Sequence, residues 1–190
     1  MAQEDKLRWD KKYQSSPVLG TPIPLVTQNI ALAKGTKALD IACGMGRHSK
    51  FLASVGFEVD ALDISSVAIA SLQNIPRLRA KEVDFDTYTL SRNSYDLIVC
   101  TYFLKRLLFP QIINALKEEG IFIYETFLYH PDNERAPSER TFLLEKGELE
   151  SAFYETCELL HICEYWDTDI SGTKTMKASM VARKKCRDRC

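Results

Sequence analysis

Short apolar runs alternate along the chain with longer stretches in which apolar residues recur at helical spacing. This alternation predicts a mostly parallel sheet with helices on both faces, because parallel strands buried on both sides are apolar along their whole length. The run 95–100 is the most continuous and is expected near the centre of the sheet. The expected parallel strands are 37–42, 57–62, 81–83, 95–100 and 121–124.

Helices are predicted in the segments between these strands, from apolar residues at a spacing of three and four. Gly56 is a typical end for the first of them, and Pro110 predicts a kink or a restart in the third. The expected helices run over about 47–55, from a cap at Ser65 or Ser66 through Ile69, Leu72 and Ile75, over 104–116, and near 147–153.

Both ends of the chain depart from this alternation. The runs 158–165 and 174–183, separated by Ser171-Gly172, predict an antiparallel pair at one sheet edge, which brings the sheet to seven strands. Before the core lie an amphipathic start with Leu7, Trp9 and Tyr13, a proline-containing connector from Pro17 to Pro24, and an apolar segment 25–33. We expect a single domain, 1–190, with a helical cap (1–35), a Rossmann-like doubly wound core (36–184) and a tail (185–190).

Composition narrows the classes of function. The 190 residues suit one hydrophobic core, which commonly organises roughly 100 to 200 residues. A net charge of −1 provides no general attraction to phosphate backbones, so nucleic acid is disfavoured as a partner. No apolar run approaches the roughly 18 to 20 residues that span a bilayer, and the charged start is atypical of a signal peptide. The expected location is the cytoplasm.

The six cysteines do not form a recognisable metal or redox motif. None of them stands in a Cys-x-x-Cys pair, so no metal site is expected and reduced thiols are the default interpretation. Cys186 and Cys190 in the tail offer a metal site or a cross-link as one alternative, and a solvated tail as the favoured one.

The strongest chemical signal is the run Asp40-Ile41-Ala42-Cys43-Gly44-Met45-Gly46-Arg47, in which a strand passes into a glycine turn that starts a helix. Glycines let the backbone approach a ligand closely, and the helix start offers free amide groups. A dinucleotide fingerprint requires Gly-x-Gly-x-x-Gly, and Ser49 stands at its third glycine. The run therefore predicts a nucleotide-type site without the dinucleotide fingerprint.

Further carboxylates end the next two strands. Asp63 ends the second strand, where a carboxylate can accept hydrogen bonds from both ribose hydroxyls. Asp84 and Phe85 follow the third strand and offer adenine a polar acceptor and an aromatic face. Each carboxylate alone is as readily a helix cap or a surface charge. Together the three strand ends predict one adenosine site.

These motifs resemble those of the class I S-adenosylmethionine-dependent methyltransferases, and the chain is most similar to small bacterial members of the tellurite-resistance type. The resemblance runs from Trp9-Asp10-Lys11-Lys12-Tyr13 through the glycine run to the closing strand pair. It implies S-adenosylmethionine as cofactor and S-adenosylhomocysteine as product. In two departures, Ala42 stands where many members have glycine, and Lys117-Glu118-Glu119-Gly120 replaces the usual Pro-Gly-Gly turn.

The same resemblance assigns roles to positions. It implies a turn at Ala42, Gly44 and Gly46, a methionine end at Cys100 and Thr101, and a cover from the N-terminal aromatic residues. Arg47 is equally compatible with pairing to the methionine carboxylate and with a solvated helix position. The expected cofactor-binding residues are Trp9, Tyr13, Asp40, Ala42, Gly44, Gly46, Arg47, Asp63, Ile64, Asp84, Phe85, Cys100 and Thr101.

The acceptor side is less sharply defined, and no catalytic residue is assigned. An oxygen or amine acceptor would require a base, for which Glu125, Tyr102 and His130 are candidates, whereas a soft sulfur, selenium or tellurium nucleophile would need none. Arg140 is a candidate for holding an anionic acceptor. His48 is interpreted as a surface or capping histidine.

We therefore expect methyl transfer from S-adenosylmethionine to a small-molecule acceptor by in-line displacement, in which positioning supplies much of the rate. Two alternatives stay open. A non-catalytic regulator would bind S-adenosylmethionine without turnover, and an NAD-dependent oxidoreductase would share the fold class. The acceptor and the oligomeric state are not specified by these residues.

Overall fold

A computed structural model of the protein describes residues 2–16 and 20–186. Pro17 of the predicted connector and Cys190 of the predicted tail lie outside this range, and the division into cap, core and tail stays a prediction. Within the described residues, seven strands form one sheet in the order β3-β2-β1-β4-β5-β7-β6. The strands are β1 Lys37–Ile41, β2 Glu58–Asp63, β3 Leu78–Glu82, β4 Tyr95–Thr101, β5 Leu116–Phe127, β6 Cys157–Thr168 and β7 Lys174–Lys184.

The topology confirms the predicted doubly wound sheet. Strands β1 to β5 pair in parallel, and β7 pairs antiparallel with both β5 and β6. The order reverses beside β1, which pairs with β2 on one side and β4 on the other. In sheets of this kind, ligands bind in the crevice outside the carboxyl ends of the strands at such a reversal.

Helices cover both faces of the sheet. One face packs against α5 and α6 around Phe109, Phe122 and Phe153, and the other packs against α2, α3 and α4 around Leu52 and Leu72. None of the helices in residues 2–16 and 20–186 has the length and apolar character needed to cross a bilayer. The helices are α1 Ala2–Ser15, α2 Pro24–Asn29, α3 Arg47–Ser54, α4 Ser66–Ala70, α5 Phe109–Ala115 and α6 Glu148–Phe153, with short 3-10 turns at Ile30–Leu32, Arg106–Leu108 and Arg140–Phe142.

Several predicted boundaries are wrong, among them those of the fifth strand, which was expected over 121–124 and runs from Leu116 to Phe127. The helix expected over 104–116 is shorter, because a 3-10 turn precedes α5 and Leu116 already belongs to β5. Leu116 pairs with Tyr95 on β4, so strand pairing overrides local helix propensity there. Pro110 restarts the helix in its first turn, where its missing N–H leaves no bond unmade. The helix expected through Ile75 ends at Ala70, and β3 begins earlier than expected, at Leu78.

Candidate functional site

The backbone at the carboxyl end of β1 has the left-handed conformation that favours glycine. Ala42, Gly44 and Gly46 have φ angles of 53°, 53° and 75°. A Cβ placed on Gly44 would lie 2.6 Å from the Tyr13 hydroxyl, and one on Gly46 would lie 2.5 Å from a Leu72 methyl. A side chain at either glycine would therefore strain the backbone and would have to displace the Tyr13 or the Leu72 side chain. Ala42 adopts this conformation without being glycine.

Asp40 lies behind this turn. Its side chain is 1% exposed and accepts a hydrogen bond from the Ser49 hydroxyl at 2.5 Å. Burial raises the pKa of Asp40 to about 7. Ser49 is the residue that interrupts the dinucleotide fingerprint, and its hydroxyl instead ties α3 to the strand beneath it.

Asp63 joins the glycine turn to the end of β2. One carboxylate oxygen accepts the Gly44 N–H at 2.8 Å, and the other accepts the Ser65 N–H at 2.9 Å. The residue is 5% exposed, and burial raises its pKa. The structure thus brings together Gly44 and Asp63, two residues that the sequence predicts at one site.

A cavity of about 410 Å³, called here the strand-tip cavity, opens at the ends of β2 and β3. The predicted residues Ile64 and Asp84 line it, and Asp84 is half-buried, with one oxygen accepting the Asp86 N–H at 2.8 Å. Phe85 is placed differently, since its buried ring packs against Phe103 at 5.5 Å in the core. The lining residues are Gln3, Lys6, Ile64, Glu82, Val83 and Asp84.

Helix α1 covers this region through contacts that the sequence analysis missed. Asp10 accepts hydrogen bonds from the Ser65 hydroxyl at 2.5 Å, the Ser66 hydroxyl at 3.0 Å and the Val67 N–H at 3.2 Å. These contacts supply acceptors to the start of α4, as a helix cap does. Lys6 forms an ion pair with Glu82 at the end of β3. Asp10 is part of the quoted N-terminal motif, which was its only signal in the sequence.

The aromatic residues of α1 stack on each other, and one of them reaches the turn. The rings of Trp9 and Tyr13 lie 5.5 Å apart, and the Tyr13 hydroxyl stands over Gly44. Trp9 is half-buried, and the Lys12 ammonium lies 4.3 Å from its ring centroid. Tyr13 therefore lies over the glycine turn, and Trp9 stacks on it from the same helix.

Arg47 lies between the glycine turn and the end of β4. Its guanidinium donates to the Thr101 hydroxyl at 3.5 Å and lies 5.2 Å from the centre of the Tyr102 ring. Cys100 is instead buried in the core, with its sulfur 3.7 Å from the Phe103 carbonyl oxygen. Of the residues predicted at the methionine end, Arg47 and Thr101 are together, and the Cys100 side chain is directed away from them.

A second cavity of about 460 Å³, the sheet-face cavity, lies between α2 and strands β5, β6 and β7. Two of the candidate catalytic residues, Tyr102 and Glu125, line it. The strand registers assemble the rest, since Tyr165 on β6 is paired with Lys177 on β7, and Glu125 is paired with Ser179. The lining residues are Ile23, Pro24, Leu25, Gln28, Tyr102, Glu125, His161, Cys163, Tyr165, Asp167, Lys177 and Ser179.

A chain of hydrogen bonds runs along the wall of the sheet-face cavity. Glu125, which is 5% exposed, accepts the hydroxyl of Tyr102 at 2.7 Å on one oxygen and that of Tyr165 at 2.9 Å on the other. Lys177 donates to the Tyr102 oxygen at 3.0 Å and forms an ion pair with Asp167 at 2.6 Å. The buried carboxylate is thus held by two neutral donors rather than by a direct ion pair.

The two tyrosines act as donors. Burial, together with the neighbouring Glu125 carboxylate, raises the pKa of Tyr102 and of Tyr165. Tyr102 also has a positive φ of 56°, a strained conformation of the kind that clusters at functional sites. A raised pKa keeps the Tyr102 hydroxyl protonated, so it is poorly suited to remove a proton from an acceptor.

The other two candidates lie outside both cavities. The Nδ1 atom of His130 accepts the Asp132 N–H at 3.2 Å, and the ring packs edge-on against Trp166. Arg140 forms an ion pair with Glu145 at 2.6 Å, and its guanidinium lies 3.0 Å from the centre of the Tyr129 ring. Their contacts are those of residues that hold the loop between β5 and α6.

The interpretation of His48 as a surface histidine is wrong. The residue is buried, and its Nε2 accepts the Ile23 N–H at 3.4 Å. Burial lowers the pKa of His48 to about 3, so the ring is neutral near pH 7. It connects the segment before α2 to α3.

Comparison with known proteins identifies the family of this chain. The family profile described as tellurite resistance protein TehB matches residues 1–178. The probable S-adenosyl-L-methionine-dependent methyltransferase TehB of Haemophilus influenzae (strain ATCC 51907 / DSM 11121 / KW20 / Rd) is 28% identical over 193 residues, a match that covers 93% of this chain and 66% of that protein. The chain therefore spans just under two thirds of the length of this relative. The resemblance to tellurite-resistance methyltransferases is confirmed.

Solved structures agree on the fold. The crystal structure of TehB from Haemophilus influenzae superposes with a TM-score of 0.75 at 24% identity, covering 93% of this chain and 67% of that one. The phosphoethanolamine N-methyltransferase 2 of Haemonchus contortus, in complex with phosphomonomethylethanolamine and S-adenosylhomocysteine, superposes with a TM-score of 0.63 at 18% identity, covering 84% of this chain and 53% of that one. At these identities the likeness shows a shared Rossmann-like fold.

Proposed function

Because the chain belongs to the tellurite resistance protein TehB family, we propose that it transfers the methyl group of S-adenosylmethionine to a small-molecule acceptor. The observation that carries the proposal is the hydrogen bond from the Gly44 N–H of the glycine turn to Asp63 at the end of β2, with the strand-tip cavity opening at the next residue, Ile64, and at Asp84. A site at the carboxyl ends of β1, β2 and β3 suits an adenosine group, since each successive strand end supplies one polar contact.

The described residues fit such a cofactor. The Asp63 carboxylate accepts the backbone N–H groups of Gly44, Ile64 and Ser65, and a carboxylate has about four acceptor sites, so one would be left for a ribose hydroxyl. Ile64 and Val83 would pack on the adenine ring, and Asp84 would accept from its amino group. At the other end of the turn, Arg47 would pair with the methionine carboxylate. When bound there, the cofactor supplies an electrophilic methyl group on a positively charged sulfur.

The protein's own part is positioning and the exclusion of water. Tyr13 covers the glycine turn from α1, and Arg47 spans from that turn to Tyr102. Holding two reactants in a fixed orientation can supply roughly 7 to 11 kcal/mol of the barrier. Residues that touch the acceptor then decide which nucleophile reaches the methyl group.

The two alternative functions make different demands on these residues. An NAD-dependent oxidoreductase requires close packing at the third glycine of the fingerprint, where Ser49 instead bonds to Asp40. A regulator without turnover would need no acceptor site, whereas the sheet-face cavity beside Arg47 offers one. We also place the protein in the cytoplasm as part of the proposal, because its five described cysteines are free thiols that suit a reducing compartment.

The test is calorimetry with S-adenosylhomocysteine on the wild type and on Asp63→Ala. Loss of a hydrogen bond to a charged group is worth about 1.5 to 3 kcal/mol, so affinity should fall at least tenfold. Glu58→Ala is the matched control, since Glu58 is an exposed carboxylate at the opposite end of the same strand. Equal affinities of wild type and Asp63→Ala, or tight binding of NADH, would overturn the assignment.

A further inference from the structure

Arg47, at the start of α3, is a partly buried cation with few partners in the protein itself. In the part of the chain that the structure describes, its guanidinium forms no ion pair, and its side chain makes one long hydrogen bond, of 3.5 Å, to the Thr101 hydroxyl. Arginine is well suited to bind a carboxylate through two parallel N–H bonds. Arg47 therefore keeps most of its donors for the methionine carboxylate that the proposed function assigns to it.

The second contact of this guanidinium is the ring of Tyr102. The ring centre lies 5.2 Å from the Arg47 Cζ atom, within the range of about 6 Å over which an aromatic ring attracts a cation. The Phe127 ring packs against Tyr102 at 5.4 Å. An arginine side chain loses conformational freedom when it binds a ligand. A ring that already orders the guanidinium reduces this loss, so the bound geometry is partly formed in the free protein.

The backbone of Tyr102 has an unusual conformation. Its φ angle is 56°, which a bulky residue adopts only where surrounding contacts impose it. The Tyr102 N–H donates to the Glu125 carbonyl oxygen at 2.8 Å, and the hydroxyl donates to the Glu125 carboxylate at 2.7 Å. The chain therefore maintains a strained backbone at the residue whose ring contacts Arg47.

We propose that Tyr102 is a positioning residue for the methyl donor, and that its ring orders the Arg47 guanidinium to receive the methionine carboxylate. The proposal rests on the function proposed above and adds a determinant of specificity to it. Tyr102 acts through Arg47, so it should matter only for ligands that carry the amino acid end. Because the ring makes the contact, the bond of the hydroxyl to Glu125 on the sheet face is not required for cofactor affinity.

The experiment compares two ligands that share the adenosine group. S-adenosylhomocysteine carries the amino acid carboxylate, whereas 5′-methylthioadenosine has a methyl group in place of the amino acid chain. Calorimetry measures the affinity of both ligands for each protein. We expect Tyr102→Leu to weaken the binding of S-adenosylhomocysteine by about fivefold or more and to leave that of 5′-methylthioadenosine within about twofold of wild type. Tyr102→Phe keeps the ring and should bind both ligands as the wild type does.

This pair of variants separates the ring from its hydrogen bonds, because both variants lack the hydroxyl that bonds to Glu125 and Lys177. Wild-type affinity for S-adenosylhomocysteine in Tyr102→Leu, an equal loss in Tyr102→Phe, or equal weakening of both ligands would overturn the proposal. If Tyr102→Leu does not fold, Tyr102→Gly replaces it, since glycine adopts a positive φ without strain, and the same selective loss is expected.

Tyr129→Leu is the matched control for the loss of a ring. Tyr129 also lies against an arginine, since the Arg140 guanidinium is 3.0 Å from its ring centre, but it stands in the loop after β5 and lines neither cavity. The affinities for S-adenosylhomocysteine and 5′-methylthioadenosine should both stay at the wild-type values in this variant. A selective loss of S-adenosylhomocysteine binding in Tyr129→Leu would show that the effect is not specific to Tyr102, and would overturn the proposal.

A double-mutant cycle tests whether Tyr102 acts through Arg47. Arg47→Met should weaken the binding of S-adenosylhomocysteine by about tenfold or more, because it removes a charged hydrogen-bond donor, and should spare 5′-methylthioadenosine. When Tyr102→Leu is added to Arg47→Met, we expect no further loss, since the ring has no guanidinium left to position. Additive losses would show that Tyr102 acts independently of Arg47, and would overturn the proposal.

The two proposals fail in different ways. Wild-type affinity for S-adenosylhomocysteine in both Arg47→Met and Tyr102→Leu, together with the expected loss in Asp63→Ala, would remove the role of Tyr102 and leave the methyltransferase proposal standing. No binding of either ligand to the wild type would remove the methyltransferase proposal, and the role of Tyr102 with it.

Discussion

The two cavities differ in how the chain builds them. Four of the six residues that line the strand-tip cavity end or directly follow β2 and β3, and the other two come from α1. The sheet-face cavity joins residues of α2, β5, β6 and β7 with one residue that follows β4. In a parallel sheet the carboxyl ends of the strands lie along one edge, and this holds even if the register of a strand shifts. A site on the face of the sheet forms only when the register of each strand brings the required side chains next to one another.

The two regions also hold their buried carboxylates differently. Asp63 at the strand tips accepts backbone N–H groups, and Glu125 on the sheet face accepts two phenol hydroxyls. Backbone N–H donors are available at any strand end. The two phenol donors reach Glu125 only because β5, β6 and β7 pair in the observed register and the segment after β4 carries Tyr102. Changes near the strand tips should therefore alter cofactor affinity, and changes on the sheet face should leave it intact.

The largest effect is expected from Asp40→Asn. Asp40 has a pKa of about 7 in the folded protein against a model-compound value of 3.8, so between these pH values the native state keeps a proton that the unfolded chain releases. The free energy of unfolding therefore falls as pH rises through this window, by roughly 4 kcal/mol in all. The variant cannot ionise there and should be more stable than wild type at pH 8.

Urea denaturation of both proteins at pH 5 and pH 8 measures this effect. His48 acts in the opposite direction, since its lowered pKa of about 3 makes stability fall as pH drops below about 6.5. That contribution is present in both proteins and cancels in the difference between them. A difference that does not change with pH would mean that Asp40 is ionised in the folded state throughout.

A smaller effect is expected from Asp10→Ala, which removes the acceptor that α1 provides to the start of α4. Loss of a cap costs about 0.5 to 2 kcal/mol, and we expect a stability loss in this range with a several-fold weaker affinity for S-adenosylhomocysteine. Urea denaturation and calorimetry measure the two quantities. Asp5→Ala is the control, because Asp5 lies on the same helix and pairs with Arg8 at the exposed surface.

The smallest effect is expected from Tyr165→Phe on the sheet face. The variant removes one of the two donors to Glu125, which should lower the free energy of unfolding by about 1 kcal/mol. Affinity for S-adenosylhomocysteine should stay at the wild-type value, and Tyr154→Phe, at an exposed tyrosine, should change neither quantity. A loss of cofactor affinity in Tyr165→Phe would break the separation between the two regions.

The sequence predicts the strand-tip region well for a physical reason. The parallel strands and a helix cap at Ser65 or Ser66 follow from local patterns, and in the structure these strands pair in parallel and Ser65 is the cap. Phe85 was expected beside adenine, but the chain turns after Asp84 over residues 85–87, and the Phe85 ring joins the core while Asp84 lines the cavity. Local order thus gives the place of a residue more reliably than the direction of its side chain.

The sheet-face region could be predicted only in part. Glu125 and Tyr102 were candidates because they follow or end strands, but Tyr165, Asp167 and Lys177 carry no local signal. These three side chains lie close together because of the antiparallel register of β6 and β7, which includes a shift between Leu159 and His161. Arg140 and His130 were candidates from their loop position alone. In the folded protein Arg140 pairs with Glu145, and His130 accepts the Asp132 N–H.

The position of Tyr13 over Gly44 has a consequence for exchange at the strand tips. A side chain atom that stands within 2.6 Å of where a Cβ would be leaves the turn no free surface of its own. Any molecule seated on that turn must share the space with α1, which Asp10 and Lys6 anchor. For the methyltransferase proposed above, we expect α1 to move aside before S-adenosylhomocysteine leaves the turn, so that the detachment of this helix would limit the rate of exchange.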